Sequence, residues 1–462
     1  TYDSYGNVSG QSQTVGTQQI EQQYNTSYSQ YGDTTVSKTV MSVADADGAN
    51  AQNVETQTII NNFGYPMSET DGNGNITQYN YDLLGRLMQK TNAENVSENY
   101  VYDVAGKTTT YTDPNGGIRR VVFDAWGNKQ KVQSKSDTSF DTHEQFTYDE
   151  YNRLKTYTLF YSPQKYLKAE YSYNYLDMVI SEKLTDNNSN TLKTTSHDYA
   201  FGKDSNGYTT ITVTKTVAAN DYTPAAEKIT YDCYGNVIKK RLVSSTGERC
   251  DTYLYDLLGN VISHTDPMGN TETFTYDIFG NNTSHTNTEG DTEYNSYDAL
   301  KRLVSHTDFN NNQTTYAYDT LGRNISVTSP LNSDETSYAK YYYDNNGNMT
   351  RKAVRLVSDD EEEQYMINDY IYNALNRLIC FISYPTDTTA EYTQYFYDNN
   401  GNVTDTVTGN DEIIQSLSEA SDNAAIVHND YDSLNRLVMQ TDAIGKYDRY
   451  SYDLNGNIIT YN

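Results

Sequence analysis

The sequence predicts an all-β protein of antiparallel β-hairpin repeats, laid side by side as a thin single-layer sheet, on three observations. A unit of the form Tyr-Asp-x-x-Gly-Asn/Arg-apolar recurs along the 462 residues. Most copies carry a second aromatic ring two places before the leading Tyr, as at Tyr79, Tyr100, Phe146, Tyr253 and Phe274. The composition is also wrong for several compact cores, because mean hydropathy is −0.81 and 62 acidic against 33 basic residues leave a net charge of −29. Such a balance alone reads as disorder. The counterweight is 47 Tyr, whose rings can be covered while their hydroxyls reach a polar partner.

Each element of the unit has a physical reason. A period of two puts both rings of Tyr-x-Tyr on one strand face. The Asp that follows can accept local backbone N–H groups, and Gly reaches positive φ without steric cost, so Asp-x-x-Gly is a turn. A second turn comes about ten residues later, visible as Asp71-Gly72-Asn73-Gly74-Asn75, Asp113-Pro114-Asn115-Gly116-Gly117 and Asp266-Pro267-Met268-Gly269-Asn270. Between the turns run Thr-, Val- and Tyr-rich stretches suited to a pleated, half-buried surface.

Sixteen copies begin between Tyr2 and Tyr452, with a basic step of 21 residues that holds through Tyr255, Tyr276, Tyr297 and Tyr318. The signature triplets, assigned a structural role, are Tyr81, Asp82 and Gly85; Tyr102, Asp103 and Gly106; Tyr231, Asp232 and Gly235; Tyr255, Asp256 and Gly259; Tyr276, Asp277 and Gly280; Tyr318, Asp319 and Gly322; Tyr343, Asp344 and Gly347; and Tyr397, Asp398 and Gly401. The pattern lapses at 11–60 and 185–228, which gives an irregular repeat region with a long insertion at 1–80, repeats at 81–184, a long hairpin or loop at 185–230, and repeats at 231–462. Two strands per unit at ~4.8 Å each make a ribbon roughly 150 Å long, which curled once encloses a tube about 50 Å wide. A short helix is conceivable only near 412–425.

These copies resemble the YD repeats of the Rhs family, which includes bacterial wall-associated proteins, Rhs toxins, toxin-complex C subunits and animal teneurins. The resemblance implies a ribbon spiralling into a partial shell or open barrel, in a protein that is secreted or displayed at the cell surface, and often wrapped around a toxic C-terminal domain of the same polypeptide. It implies no catalytic residue and no cofactor. The array starts within a repeat, at Tyr2-Asp3, so the chain is expected to be a piece of something longer. Asp266-Pro267-Met268-Gly269 matches part of the family's self-cleavage motif, yet the repeat itself supplies the same letters.

Other chemistry is weighed against plainer readings. Acidity argues against a phosphate-backbone partner, which needs clustered Lys and Arg, and no apolar run reaches the roughly 20 residues of a membrane span. Cys233, Cys250 and Cys380 have no metal-ligand or redox spacing. His264, His285 and His306 recur at 21-residue steps, but equivalent residues of successive hairpins lie roughly 10 Å apart, too far to share an ion. The column is expected to be a duplicated structural position facing away from the apolar residue after Gly, since the two are an odd number of residues apart. The acidic run Asp359-Asp360-Glu361-Glu362-Glu363 and the 71–75 turn hold oxygen ligands of the kind Ca²⁺ takes, without the distal bidentate Glu. Trp126, the sole tryptophan, is expected to pack in the sheet. Function therefore reads as a structural, non-catalytic shell segment that encloses or presents a polypeptide, the alternative being a surface adhesin that binds glycans.

Overall fold

The computed structural model describes residues 53–462 except 137–138, 220–221, 246, 331–335, 357–363, 387–388 and 411, and before them residues 2, 8–15, 18–28 and 34–41. The acidic run at 359–363 lies outside the described residues, as does Asp3. Thirty-seven strands are present among the described residues, and each is bonded antiparallel to its neighbours in sequence, from Gly10–Val15 against Gln18–Tyr28 to Tyr447–Tyr452 against Ile458–Tyr461. The sheet is therefore one ribbon in sequence order. The stretch from 185 to 230 runs as three long strands, Thr191–Lys203, Thr209–Ala219 and Tyr222–Tyr231.

The tyrosines set the two faces. Thr271–Tyr276 and Gln313–Tyr318 alternate exposed and half-buried, with Phe274, Tyr276, Tyr316 and Tyr318 on the half-buried side. Only Val54, Ala169, Ala353, Cys380, Ile382, Val407 and Ile414 are buried apolar side chains among the described residues, so the ribbon has no continuous core. The one local exception forms where the chain leaves the sheet between Val403–Asn410 and Ala425–Tyr431. There the Gln394 side chain donates to the Ile414 carbonyl and accepts from the Ile414 N–H, both at 3.1 Å. The helix expected at 412–425 is reduced to a single 3₁₀ turn, Leu417–Glu419, because Gln394 ties Ile414 down to the sheet in extended chain. Cys380 beneath is fully buried, and burial pushes its thiol up to about 11, which makes it inert.

Most leading tyrosines coincide with a β-bulge. Thr275 pairs with Ser284 while Tyr276 pairs with Asn282, so Thr283 is skipped. The same shift occurs at Tyr81, Phe123, Tyr148, Tyr173, Tyr231 and Tyr255. A skipped residue resets the strand's alternation. His264 consequently pairs with Tyr253, and Val261 with Tyr255. Histidine and apolar residue share the tyrosine face instead of facing apart, which corrects the unbroken-strand expectation.

The ribbon also closes on itself. The turn at 71–75 meets that at 344–348, and the turn at 113–117 meets that at 398–402. From Ile76–Tyr81 through Thr336–Tyr343, and again from Ile118–Phe123 through Thr389–Tyr397, the offset is 23 strands. At ~4.8 Å per strand the coil is about 110 Å around and about 35 Å across, backbone to backbone. The expected single curl of about 50 Å is thus replaced by a narrower coil that overlaps itself.

Candidate functional site: turns, clamps and the seam between coils

The turn at 256–260 shows what the Asp does. Its N–H donates to the Asn260 carbonyl at 3.0 Å and Gly259 N–H donates back to the Asp256 carbonyl at 3.2 Å. Asp256 Oδ1 accepts the N–H groups of Leu258 and Asn260, both at 2.9 Å, and Oδ2 accepts Asn260 Nδ2 at 2.9 Å. That explains the Asn after Gly: its amide fills the remaining carboxylate oxygen. The Asn260 side chain, followed by its N–H, holds the Asp256 carboxyl below its usual range. Gly259 has φ 85°, the left-handed region where Gly fits without strain.

Arg in place of that Asn does more. Arg302 Nε donates to Asp298 Oδ2 at 2.7 Å, its Nη1 donates to the Asp319 carbonyl of the next unit at 2.9 Å, and its guanidinium lies 4.8 Å from the Tyr318 ring. Arg323, Arg377 and Arg436 bridge onward in the same way, to the carbonyls of Asp344, Asp398 and Asp453. Each couples one hairpin to the next.

The tyrosine hydroxyl is the third device. Tyr276 Oη donates to the Val261 carbonyl at 2.8 Å, Tyr297 to Asn282 at 2.9 Å, Tyr318 to Leu303 at 2.8 Å and Tyr343 to Asn324 at 2.7 Å. In each case the acceptor is the carbonyl just before the residue the bulge skips, which the ladder leaves open. The adjoining rings meet carboxylates. Burial, then the hydrogen bond to Glu98, pushes Tyr100 up to about 12, and burial followed by Glu144 does the same to Tyr157.

The histidines do not converge. His264 stacks on Tyr253 at 4.8 Å and meets Asp251 at 3.0 Å. His285 stacks on Phe274 at 4.6 Å between Glu293 and Glu272, and His306 bonds Asn295 at 2.9 Å. Among the described residues no group of three His, Cys, Asp or Glu is placed to hold a metal. Asp71 has both oxygens occupied by amide donors, from Asn73, Asn75 and Asn346. Asp266 sits in an ordinary turn, accepting from Met268 and Asn270. Trp126 is 86% exposed, contrary to the packed position expected. As the third residue of Asp124-Ala125-Trp126-Gly127 it points off the ribbon's edge.

Sequence reasoning missed the seam, because its partners lie far apart in the chain. Asn73 Nδ2 donates to Asp344 Oδ2 at 2.9 Å, and Asn346 Nδ2 returns a bond to Asp71 Oδ2 at 2.7 Å. Asn115 Nδ2 donates to Asp398 Oδ2 at 2.8 Å. Glu94 receives Asn373 at 2.8 Å and Arg377 at 2.6 Å, while Leu454 N–H bonds the Tyr161 carbonyl at 3.1 Å. The backbones come so close that a Cβ on Gly72 would sit 2.5 Å from the Asn345 oxygen. One edge of the ribbon carries the turns that follow the leading tyrosines, hereafter the tyrosine rim, and the seam seats that rim of the second coil on the opposite rim of the first.

Comparison with known proteins places these features. The RHS repeat family model matches residues 255–292 and 297–334. The structure titled "Crystal Structure of TcdB2-TccC3-TEV" shares the fold at TM-score 0.64 and 16% identity, covering 96% of this chain and 26% of that one. A TcdB2-TccC3 structure without its hypervariable C-terminal region aligns at 13% identity over 96% of this chain and 30% of that one, and a Photorhabdus luminescens Tc holotoxin pore likewise at 13%, 96% and 30%, with TM-scores of only 0.37 and 0.34. Among curated proteins none matches. This chain thus spans about a quarter of the first of these structures' chains.

Proposed function

We propose that this RHS-repeat chain is a structural wall segment, part of a hollow β-shell that encloses a polypeptide in a larger secreted or surface-displayed protein, and that it has no turnover of its own. The observation that carries the reading is closure: a single-layer ribbon returns on itself after 23 strands and its rims interlock. A coil about 35 Å wide, less about 5 Å of side chain from each wall, leaves a lumen about 25 Å across. A folded domain of ~100 residues has a radius of gyration near 13 Å, so the lumen suits an extended or partly folded chain better than a native domain. The fold shared with TcdB2-TccC3-TEV supports the same reading, and among the described residues no helix is long and apolar enough to cross a membrane.

A rival reading, a module that binds surface glycans, draws on one observation: exposed Trp126 borders a cleft of about 600 Å³ with Phe146, Tyr148 and Glu150. The test joins this chain to the polypeptide its gene encodes downstream and follows proteolysis of that segment with and without the repeats. Shielding by the repeats is the expected result. Equal digestion, together with glycan binding by the repeats alone, would favour the adhesin.

A further inference from the structure

The two parts of the tyrosine rim differ in chemistry. Where the rim is seated, its turn tips are small or polar: Asn345 and Asn346, Asn399 and Asn400, and Leu454 with Asn455, all at the seam. Where it is unseated the tips are large and apolar. Leu83 and Leu257 are fully exposed at 106%, Tyr175 at 91%, Trp126 at 86% and Ile278 at 83%. No charge stands at the tips 83–84, 125–126, 175–176, 257–258 or 278–279, in a chain of net charge −29. A continuous exposed apolar strip of this kind marks an interaction surface.

Clefts open between neighbouring tips on this edge. One of about 530 Å³ is lined by Phe63, Tyr65, Met67, Leu83 and Leu84, and the cleft beside Trp126 measures about 600 Å³. At the seam the corresponding space, bounded by Leu375 and Asn400 of one coil and by Pro114 and Arg119 of the other, is about 310 Å³. Seating the rim therefore goes with a smaller cleft.

We propose that the unseated tyrosine rim, from Phe63 to Phe279, is a docking surface for a further coil of hairpin ribbon, one whose facing turns carry apolar tips in place of the Asn and Asp exchanged at the seam. Continuity identifies the occupant: the same edge, followed along the ribbon, is already seated on the opposite rim of a coil. The inference is independent of what the lumen holds.

Hydroxyl-radical footprinting of the full gene product against this 462-residue chain tests the proposal. Trp126, Leu257 and Phe279 are expected to react several-fold less in the full product. Leu257→Glu with Phe279→Glu should restore their neighbours' reactivity there while leaving the melting of the shorter chain unchanged, since both side chains stand in solvent. Equal reactivity in the two proteins would overturn the proposal, as would protection indifferent to the two glutamates. Protection that arises in the shorter chain alone as its concentration rises would also overturn it, by making the occupant a second copy.

Discussion

Replacing Tyr276 by Phe removes one oxygen and leaves the ring. The hydroxyl donates to the Val261 carbonyl at 2.8 Å, an acceptor that the bulge between Thr275 and Tyr276 and its counterpart one hairpin back leave out of the ladder. A net hydrogen bond is worth about 1 kcal/mol, and stranding a partly buried acceptor costs about 1 to 3. Tyr276→Phe should therefore destabilise its neighbourhood by about 1 to 2 kcal/mol. Tyr276→Ala also loses the ring and should cost about 3 kcal/mol, the low end for an aromatic because the site is half-buried. Repeat arrays unfold locally, so amide hydrogen exchange in Val261–Thr265 and Thr271–Tyr276 is the appropriate assay, with Phe123 as a natural reference that lacks the hydroxyl. Exchange unchanged in Tyr276→Phe, with the full loss seen only in Tyr276→Ala, would show that the tyrosines act as packing rings alone.

Gly117→Ala places a Cβ 2.4 Å from the Ser433 oxygen; overpacking of this kind costs about 1 to 3 kcal/mol, and the expected result is a parted seam with hairpins intact, seen as protease sensitivity near 398–436 without loss of β circular dichroism. Ser189 holds φ 65° at the turn position that Gly fills elsewhere, so Ser189→Gly should stabilise by about 0.5 to 1 kcal/mol in thermal melts, the relief of strain exceeding the entropy of Gly. For Tyr100, Tyr111 and Tyr157, raised to about 12 chiefly by burial, the protonated phenol is the native form, so the stability they contribute is complete below pH ~10 and fades as pH climbs through the folded values. Tyrosinate absorbance should show a late-titrating class whose ionisation coincides with loss of β signal; all phenols titrating together near 10 with the fold intact would contradict this. In acid the sign reverses: carboxyls such as Asp256 and Asp266, held low first by the Asn side chain that follows, contribute stability above their unfolded pKa that is lost as pH falls through the folded one, and a melt monitored below pH ~4 should show it.

Features that repeat at short range were legible. Tyr-x-Tyr alternation and the Asp-x-x-Gly turn announce themselves because the strand period and positive φ act through adjacent residues. The bulge was not, since the skipped Thr283 or Ile262 carries no distinguishing letter; hence the histidines were put on the wrong face. Trp126 was placed inside on hydrophobicity alone, although a turn tip has no neighbour to cover it. The seam was invisible for another reason: Asn73 and Asp344 are 271 residues apart, and the loops between them vary in length, so coils align by strand number and not by residue number.

The acidity and the lack of a core then have one cause. A ribbon that turns every few residues leaves backbone N–H groups open at each turn and a carbonyl open at each bulge, and these must be satisfied. Asp and Asn oxygens take the N–H groups, tyrosine hydroxyls take the carbonyls, and Arg links one turn's carboxylate to the next turn's backbone. A chain solving this problem unit by unit accumulates Asp and Tyr instead of Leu and Val. Stability built this way is a sum of neighbour terms, so nothing within the hairpins makes the first unit depend on the last. The seam supplies that dependence: by bonding Asp71 to Asn346 and Asn115 to Asp398, it converts a ribbon able to fray anywhere into a coil that opens only by breaking contacts between distant units together.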